Sequence, residues 1–116
     1  MDEFKMLEVI ELPTFVSDCE KVMAHAERHE FIAHISGHPE AGDVVQNTGG
    51  IRKVRWAVEN KGKSGGVRVL YYYLDVDTPI YLLMAYKKGR KDTLSATDKQ
   101  LLKDLAKIMK QTHKGE

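Results

Sequence analysis

The chain has 116 residues, 42% of them hydrophobic and 30% charged, a balance that excludes wholesale disorder and suits one domain over residues 1–116. Its longest apolar run, 80–86, is far short of the ~20 residues of a spanning helix, and the acidic Asp2 and Glu3 stand where a secretory signal carries positive charge, so a cytoplasmic protein with no membrane partner is expected. The net charge of +1 hides a polarised chain: residues 1–50 hold three basic and ten acidic side chains, 51–91 ten and three, and 92–116 five and four.

A basic block of this kind fits a surface that meets a polyanion, because clustered Lys and Arg neutralise phosphates and release their counterions. RNA, DNA and acidic protein segments all qualify, as does a basic loop solvated or paired with the acidic half. The lone Cys19 excludes an internal disulfide and a thiolate metal cluster.

Residues 5–12 alternate loosely up to Pro13 and predict a short first strand. Thr14 offers an N-cap, and Phe15, Cys19, Val22 and Met23 recur at helical spacing before a second run with Phe31, Ile32 and Ile35. Two helices, or one broken helix, follow from this pattern. Gly37, His38 and Pro39 end it, and Gly42 with Asn47, Thr48, Gly49 and Gly50 marks an extended loop. Residues 51–58 place Val54, Trp56 and Val58 on one strand face and Lys53 and Arg55 on the other. A basic, glycine-containing loop (59–66) leads to strands over 67–74 and 80–87, the latter two rich in β-branched and aromatic residues. Ser95 and Asp98 have capping-box spacing, and Leu101, Leu102, Leu105, Ile108 and Met109 predict an amphipathic C-terminal helix. The class is α+β: a small antiparallel sheet with two N-terminal helices and one C-terminal helix.

Gly62, Lys63 and Ser64 end like a P-loop, but Ala57 stands where that motif needs its first glycine, and the loop joins two strands. Nucleoside triphosphate binding is rejected. His25, His29, His34 and His38 include pairs four apart, without an HExxH pattern or a cysteine partner, and read as surface or capping histidines; no metal and no small-molecule cofactor are expected. Most of the tyrosines read as core. Tyr86 differs, because it directly precedes Lys87, Lys88, Arg90 and Lys91, a ring-and-cation grouping suited to single-stranded nucleic acid. The strongest constellation is Arg52, Lys53, Arg55, Lys61, Lys63, Arg68 and Lys88, several of which an antiparallel meander brings to one phosphate. Such cations suit either passive binding or stabilisation of a phosphorane-like transition state, with the RNA 2′-OH as nucleophile.

The run Gly42-Asp43-Val44-Val45, Thr48-Gly49-Gly50-Ile51-Arg52-Lys53-Val54-Arg55, Lys61-Gly62-Lys63 and Gly65-Gly66-Val67-Arg68, continuing through Tyr81-Leu82-Leu83 and Tyr86-Lys87-Lys88, resembles the RelE/HigB toxin family, in particular its HigB-type branch. The resemblance implies the RelE-like microbial RNase fold. It also implies a type II toxin that cuts mRNA in the A site of the 70S ribosome, inhibits translation without a metal, and is neutralised by a cognate antitoxin protein. By that resemblance Arg68 contacts the scissile phosphate and Arg55 orients substrate. Lys53 or Lys61 moves protons, since arginine hardly deprotonates, and Lys88 steadies the leaving group. Arg52, Lys63, Tyr86, Lys87, Arg90 and Lys91 are then candidate RNA-binding residues, with Tyr86 standing in for a stacking tyrosine whose position falls near Leu94. The rivals are a ParE-like inhibitor of DNA gyrase and a non-catalytic RNA-binding module.

Overall fold

The computed structural model describes residues 6–58, 66–87 and 94–114. Eight elements follow in order: β1 (Val9–Glu11), α1 (Pro13–Val22), α2 (His25–Gly37), β2 (Asp43–Val44), β3 (Ile51–Trp56), β4 (Val67–Tyr72), β5 (Ile80–Lys87) and α3 (Ala96–Lys114). The strands form one sheet in the order β1-β5-β4-β3-β2. The meander β3-β4-β5 is antiparallel, as is the short β2 against β3. β1 is the exception: it runs parallel to β5, Val9 opposite Ile80, which makes the sheet mixed. Parallel pairing needs a long crossover, and α1 and α2 with the first strands of the meander supply it.

Local chemistry explains the helix boundaries. Pro13, not Thr14, opens the first helix: Leu12 is the N-cap and makes no side-chain cap bond. Proline suits that first position because its missing N–H would have had no helical acceptor. The helical run breaks at Met23–Ala24, giving two helices, and α2 restarts with the Ala24 N–H donating to Glu27 Oε1 at 2.8 Å. The Ser95/Asp98 capping box forms in both directions: the Asp98 N–H donates to Ser95 Oγ at 3.0 Å and the Ser95 N–H to Asp98 Oδ2 at 3.2 Å. Among the described residues no helix is long and apolar enough to cross a membrane.

The helices cover the two faces of the sheet separately. α1 and α2 bury Phe15, Cys19, Phe31 and Ile35 against Val67, Val69, Tyr71, Ile80 and Leu82. On the other face α3 sets Leu102, Ala106 and Met109 against Ile51, Leu70, Tyr72 and Leu83. The predicted α3 stripe is thus partly corrected, since Leu101 and Ile108 are 63% and 58% exposed. Leu102, Ala106 and Met109 follow an i, i+4, i+7 seam, and a helix resting on one sheet end buries only that seam.

The long strand β5 carries an irregularity that sets the geometry of the site. Leu70 pairs with Met84, yet the next residue, Tyr71, pairs with Leu82, so Leu83 is an extra residue on β5. A bulge of this kind interrupts the in-out alternation. Leu83 and Met84 consequently both face α3, and Tyr86 follows them to that side.

Candidate anion-binding site

Beyond the part of the sheet that α3 covers, three side chains form a row across β3, β4 and β5. Arg55 is directly opposite Arg68, and Arg68 is directly opposite Tyr86. Residues paired this way have Cβ atoms roughly 5 Å apart and share a face. Two guanidinium groups facing each other across a ladder repel, and like charges opposite one another weaken a sheet. An anion held between them reverses the sign of that interaction. Arg55 is exposed and Arg68 half-buried. Nη1 of Arg68 is fully shielded from solvent and has no hydrogen-bond acceptor among the described residues. A desolvated N–H of a charged group is costly to leave without an acceptor, and an anionic oxygen is the acceptor that best offsets the cost.

Gly66 keeps the space beside this pair open. A β-carbon there would sit 3.6 Å from Arg68 Nη1, 3.6 Å from Arg55 Cγ and 3.4 Å from the Trp56 carbonyl oxygen. A methyl group would touch all three, and a larger side chain would compete for the volume into which the guanidinium points. The sequence places this glycine in the Gly65-Gly66-Val67-Arg68 motif at the end of the basic loop; its contact with both arginines is a property of the fold.

The structure separates the predicted cations. Lys53 is on the Arg55 face but two residues away along β3, a rise of roughly 7 Å. It stands opposite Asp43 and Leu70, so a carboxylate of the protein itself adjoins it. Arg52 and Lys87 fall on the opposite face, in register with Tyr71 and Val67, and do not join the Arg55/Arg68 row. Strand alternation is the reason for both placements. Arg52 has a structural partner: its Nη1 donates to the Gly42 carbonyl oxygen at 2.6 Å. Lys61, Lys63, Lys88, Arg90 and Lys91 lie outside the described residues. Tyr86 is half-buried beside the α3-side core, whereas Leu94 is buried in that core.

The Gly42 motif is likewise built into the scaffold. The Gly42 N–H donates to the Tyr71 hydroxyl oxygen at 2.8 Å, and that hydroxyl donates to the Pro39 carbonyl at 2.8 Å. A β-carbon on Gly42 would come within 2.7 Å of the Lys53 carbonyl oxygen, which only glycine avoids. Tyr71 is fully buried, and burial is the main cause that raises its phenol pKa. It stays a neutral donor that ties the α2–β2 connection to the central strand. The histidines also act structurally: His34 and His38 stack with ring centroids 4.5 Å apart, His34 also packs on Trp56, and His38 Nδ1 lies 3.0 Å from the His34 carbonyl oxygen at the end of α2.

These features define a class: a three-layer α+β protein whose mixed sheet carries an opposed pair of arginines, Arg55 and Arg68, beside the end of one helical layer. Residues 37–116 match the family model of the RelE toxin of the RelE/RelB toxin–antitoxin system. The chain belongs to that family and is a toxin of a toxin–antitoxin pair, with an antitoxin protein as its partner.

Proposed function

We propose that this toxin is a ribosome-dependent endoribonuclease of the HigB-type branch that cleaves mRNA in the ribosomal A site and so arrests translation. The observation that carries this reading is the opposed Arg55/Arg68 pair, with an Arg68 Nη1 that is shielded from solvent and has no acceptor among the described residues. A phosphodiester is singly charged in the ground state and gains charge on its equatorial oxygens as the 2′-OH adds. Guanidinium donors fixed in advance on two strands of a sheet favour the second state over the first.

In the proposed reaction the RNA 2′-oxygen forms a bond to phosphorus, the 5′-oxygen leaves, and the products are a 2′,3′-cyclic phosphate and a 5′-hydroxyl end. Arg68 holds a non-bridging oxygen and Arg55 the opposite side of the phosphate. Removal of the 2′ proton and protonation of the leaving oxygen fall to ammonium–amine groups. Lys53 is the described candidate, and Lys61 and Lys88 are candidates outside the described residues. No metal step is needed in this scheme. Tyr86 extends the row on β5, where its ring can support a base next to the held phosphate. The need for a ribosome fits a site that supplies charge but little groove: an external surface must hold the RNA backbone in line for attack.

The deciding experiment induces wild type and Arg68→Ala in cells and maps transcript 5′ ends against the reading frame. In-frame cuts with wild type alone support the proposal. Intact transcripts with DNA damage would point to gyrase, and weaker RNA binding without any lost turnover would point to a passive RNA-binding module.

A further inference from the structure

The outer side of β1 is closed at both ends and open in the middle. The Ile80 N–H donates to the Glu8 carbonyl and the Leu12 N–H to the Leu82 carbonyl, so main-chain groups at alternate positions face β5 while those of Leu7, Val9 and Glu11 face outward. At Leu7 the strand is clasped by α2: its N–H donates to the Ser36 carbonyl at 3.1 Å, and Ser36 Oγ donates to the Leu7 carbonyl at 2.7 Å. At Glu11 the clasp is an ion pair, Arg28 Nη2 to Glu11 Oε1 at 2.7 Å. Between the clasps the main-chain N–H and C=O of Val9 have no main-chain partner among the described residues.

They open into a cavity of about 420 Å³ walled by His29, Ile32 and Ala33 of α2. Past Met6 and Leu7 a second cavity, of about 190 Å³, continues beneath Val76 and Pro79 and is lined by the carboxyl-bearing Glu8 and Asp77. Met6 and Val76 at the junction are 48% and 65% exposed.

We infer that this groove receives an extended segment of the antitoxin, which hydrogen-bonds the Val9 main chain, sets an apolar side chain against Ile32 and Ala33, and directs Lys or Arg toward Glu8 and Asp77. An open strand edge is a template for another extended chain, and flanking pockets then select alternate side chains. A helix offers no free main-chain groups to such an edge. The charge of the occupant follows from complementarity: Glu8 and Asp77 are the charged side chains of the second cavity, and the acidic half of the protein, 1–50, supplies β1 and α2. A second copy of this chain is the poorer fit, because its described cations on β3 and β4 belong to strands already paired on both sides. The groove lies at the sheet edge opposite β2, apart from the Arg55/Arg68 row. The inference rests on membership of a toxin–antitoxin pair and not on the RNA-cleavage reading.

The test is calorimetric titration of the full-length toxin with its cognate antitoxin, paired with hydrogen exchange of the complex. Ala33, exposed on the wall of the groove, is changed to Arg, and Asp77, in an exposed turn, to Lys. Ala33→Arg is expected to weaken binding at least tenfold and Asp77→Lys several-fold, with unchanged melting of the free toxin; the Val9 and Glu11 amides become protected in the wild-type complex. If Ala33→Arg melts early, Asp77→Lys and the exchange pattern decide alone. Wild-type affinity in both variants overturns the proposal, as does protection confined to α3 around Leu101 and Ile108. So does a free toxin that is dimeric and becomes monomeric on Ala33→Arg, because the occupant is then a second copy. Transcript cleavage by the two variants is scored separately, so loss of the antitoxin contact and failure of the nuclease reading give different results.

Discussion

The two faces of β4 put the same backbone to opposite uses. On one face Val67, Val69 and Tyr71 are sealed beneath α1 and α2, and the single buried hydroxyl has both a donor and an acceptor partner. On the other, Leu70 and Tyr72 are covered by α3, but Arg68 continues past that cover and meets Arg55 across the ladder. Among the described residues the buried polar group of the first face, the Tyr71 hydroxyl, is satisfied, so the packing there is stabilising. The other keeps two like charges opposite one another and a shielded donor without an acceptor among the described residues, an arrangement that costs folding energy and that a bound anion would relieve. A rigid, satisfied layer behind the strand is what allows a strained charge pair to be held in front of it.

The most forceful way to break this comparison is Arg68→Ala. Loss of an oxyanion-type donor typically costs about 10²–10³ in turnover, and that drop is predicted for ribosome-programmed mRNA cleavage. Thermal stability is predicted to hold or rise, because the like-charge opposition disappears. A variant that loses stability in proportion to activity would show that Arg68 belongs to the scaffold. Tyr71→Phe probes the satisfied face: it removes the acceptor of the Gly42 N–H and the donor to Pro39, and urea unfolding should show a loss of about 1–3 kcal/mol, with cleavage per folded molecule retained.

Arg52→Ala separates two arginines only three residues apart. Its guanidinium serves the Gly42 carbonyl, so a loss of about 1 kcal/mol in stability is predicted, with turnover near wild type; a hundredfold fall in turnover would return Arg52 to the site. The smallest effect concerns Cys19, whose thiol is pushed up to about 11, chiefly by burial. Folded thiol keeps its proton where unfolded thiol loses it, so stability is level below about pH 9 and falls as pH rises toward 11. Alkylation by iodoacetamide at pH 8 should be slow in the native protein and fast in urea; equal rates would contradict the buried placement.

Much of this was legible in the residues themselves. The meander, the end of α2 at Gly37 and the Ser95/Asp98 cap follow from period-two alternation, from the chain-breaking Gly37 and Pro39 and from a capping pair three positions apart; whether the first helical run is continuous or broken was left open by its spacing. These are local properties, set by which side chains a backbone segment can satisfy alone. The opposition of Arg55 and Arg68 was only partly legible, because alternation shows which residues of one strand share a face but not which residue of the next strand they meet. Arg52 and Lys53 illustrate the limit: they are adjacent in a basic run, and strand geometry sends one to a scaffold carbonyl and the other, half-buried, to the α3-side face beside Asp43.

Sequence alone determined the kinds of element, the +7 block and the cations available to the sheet, since composition and spacing fix what each segment can bury. Tertiary structure decided which of those cations share a surface. Counting by twos from Ile80 puts Tyr86 on the α1/α2 side; the extra Leu83 in β5 moves it to the Arg68 row. Such a bulge depends on how two distant strands pair, and no local pattern of apolar residues encodes it.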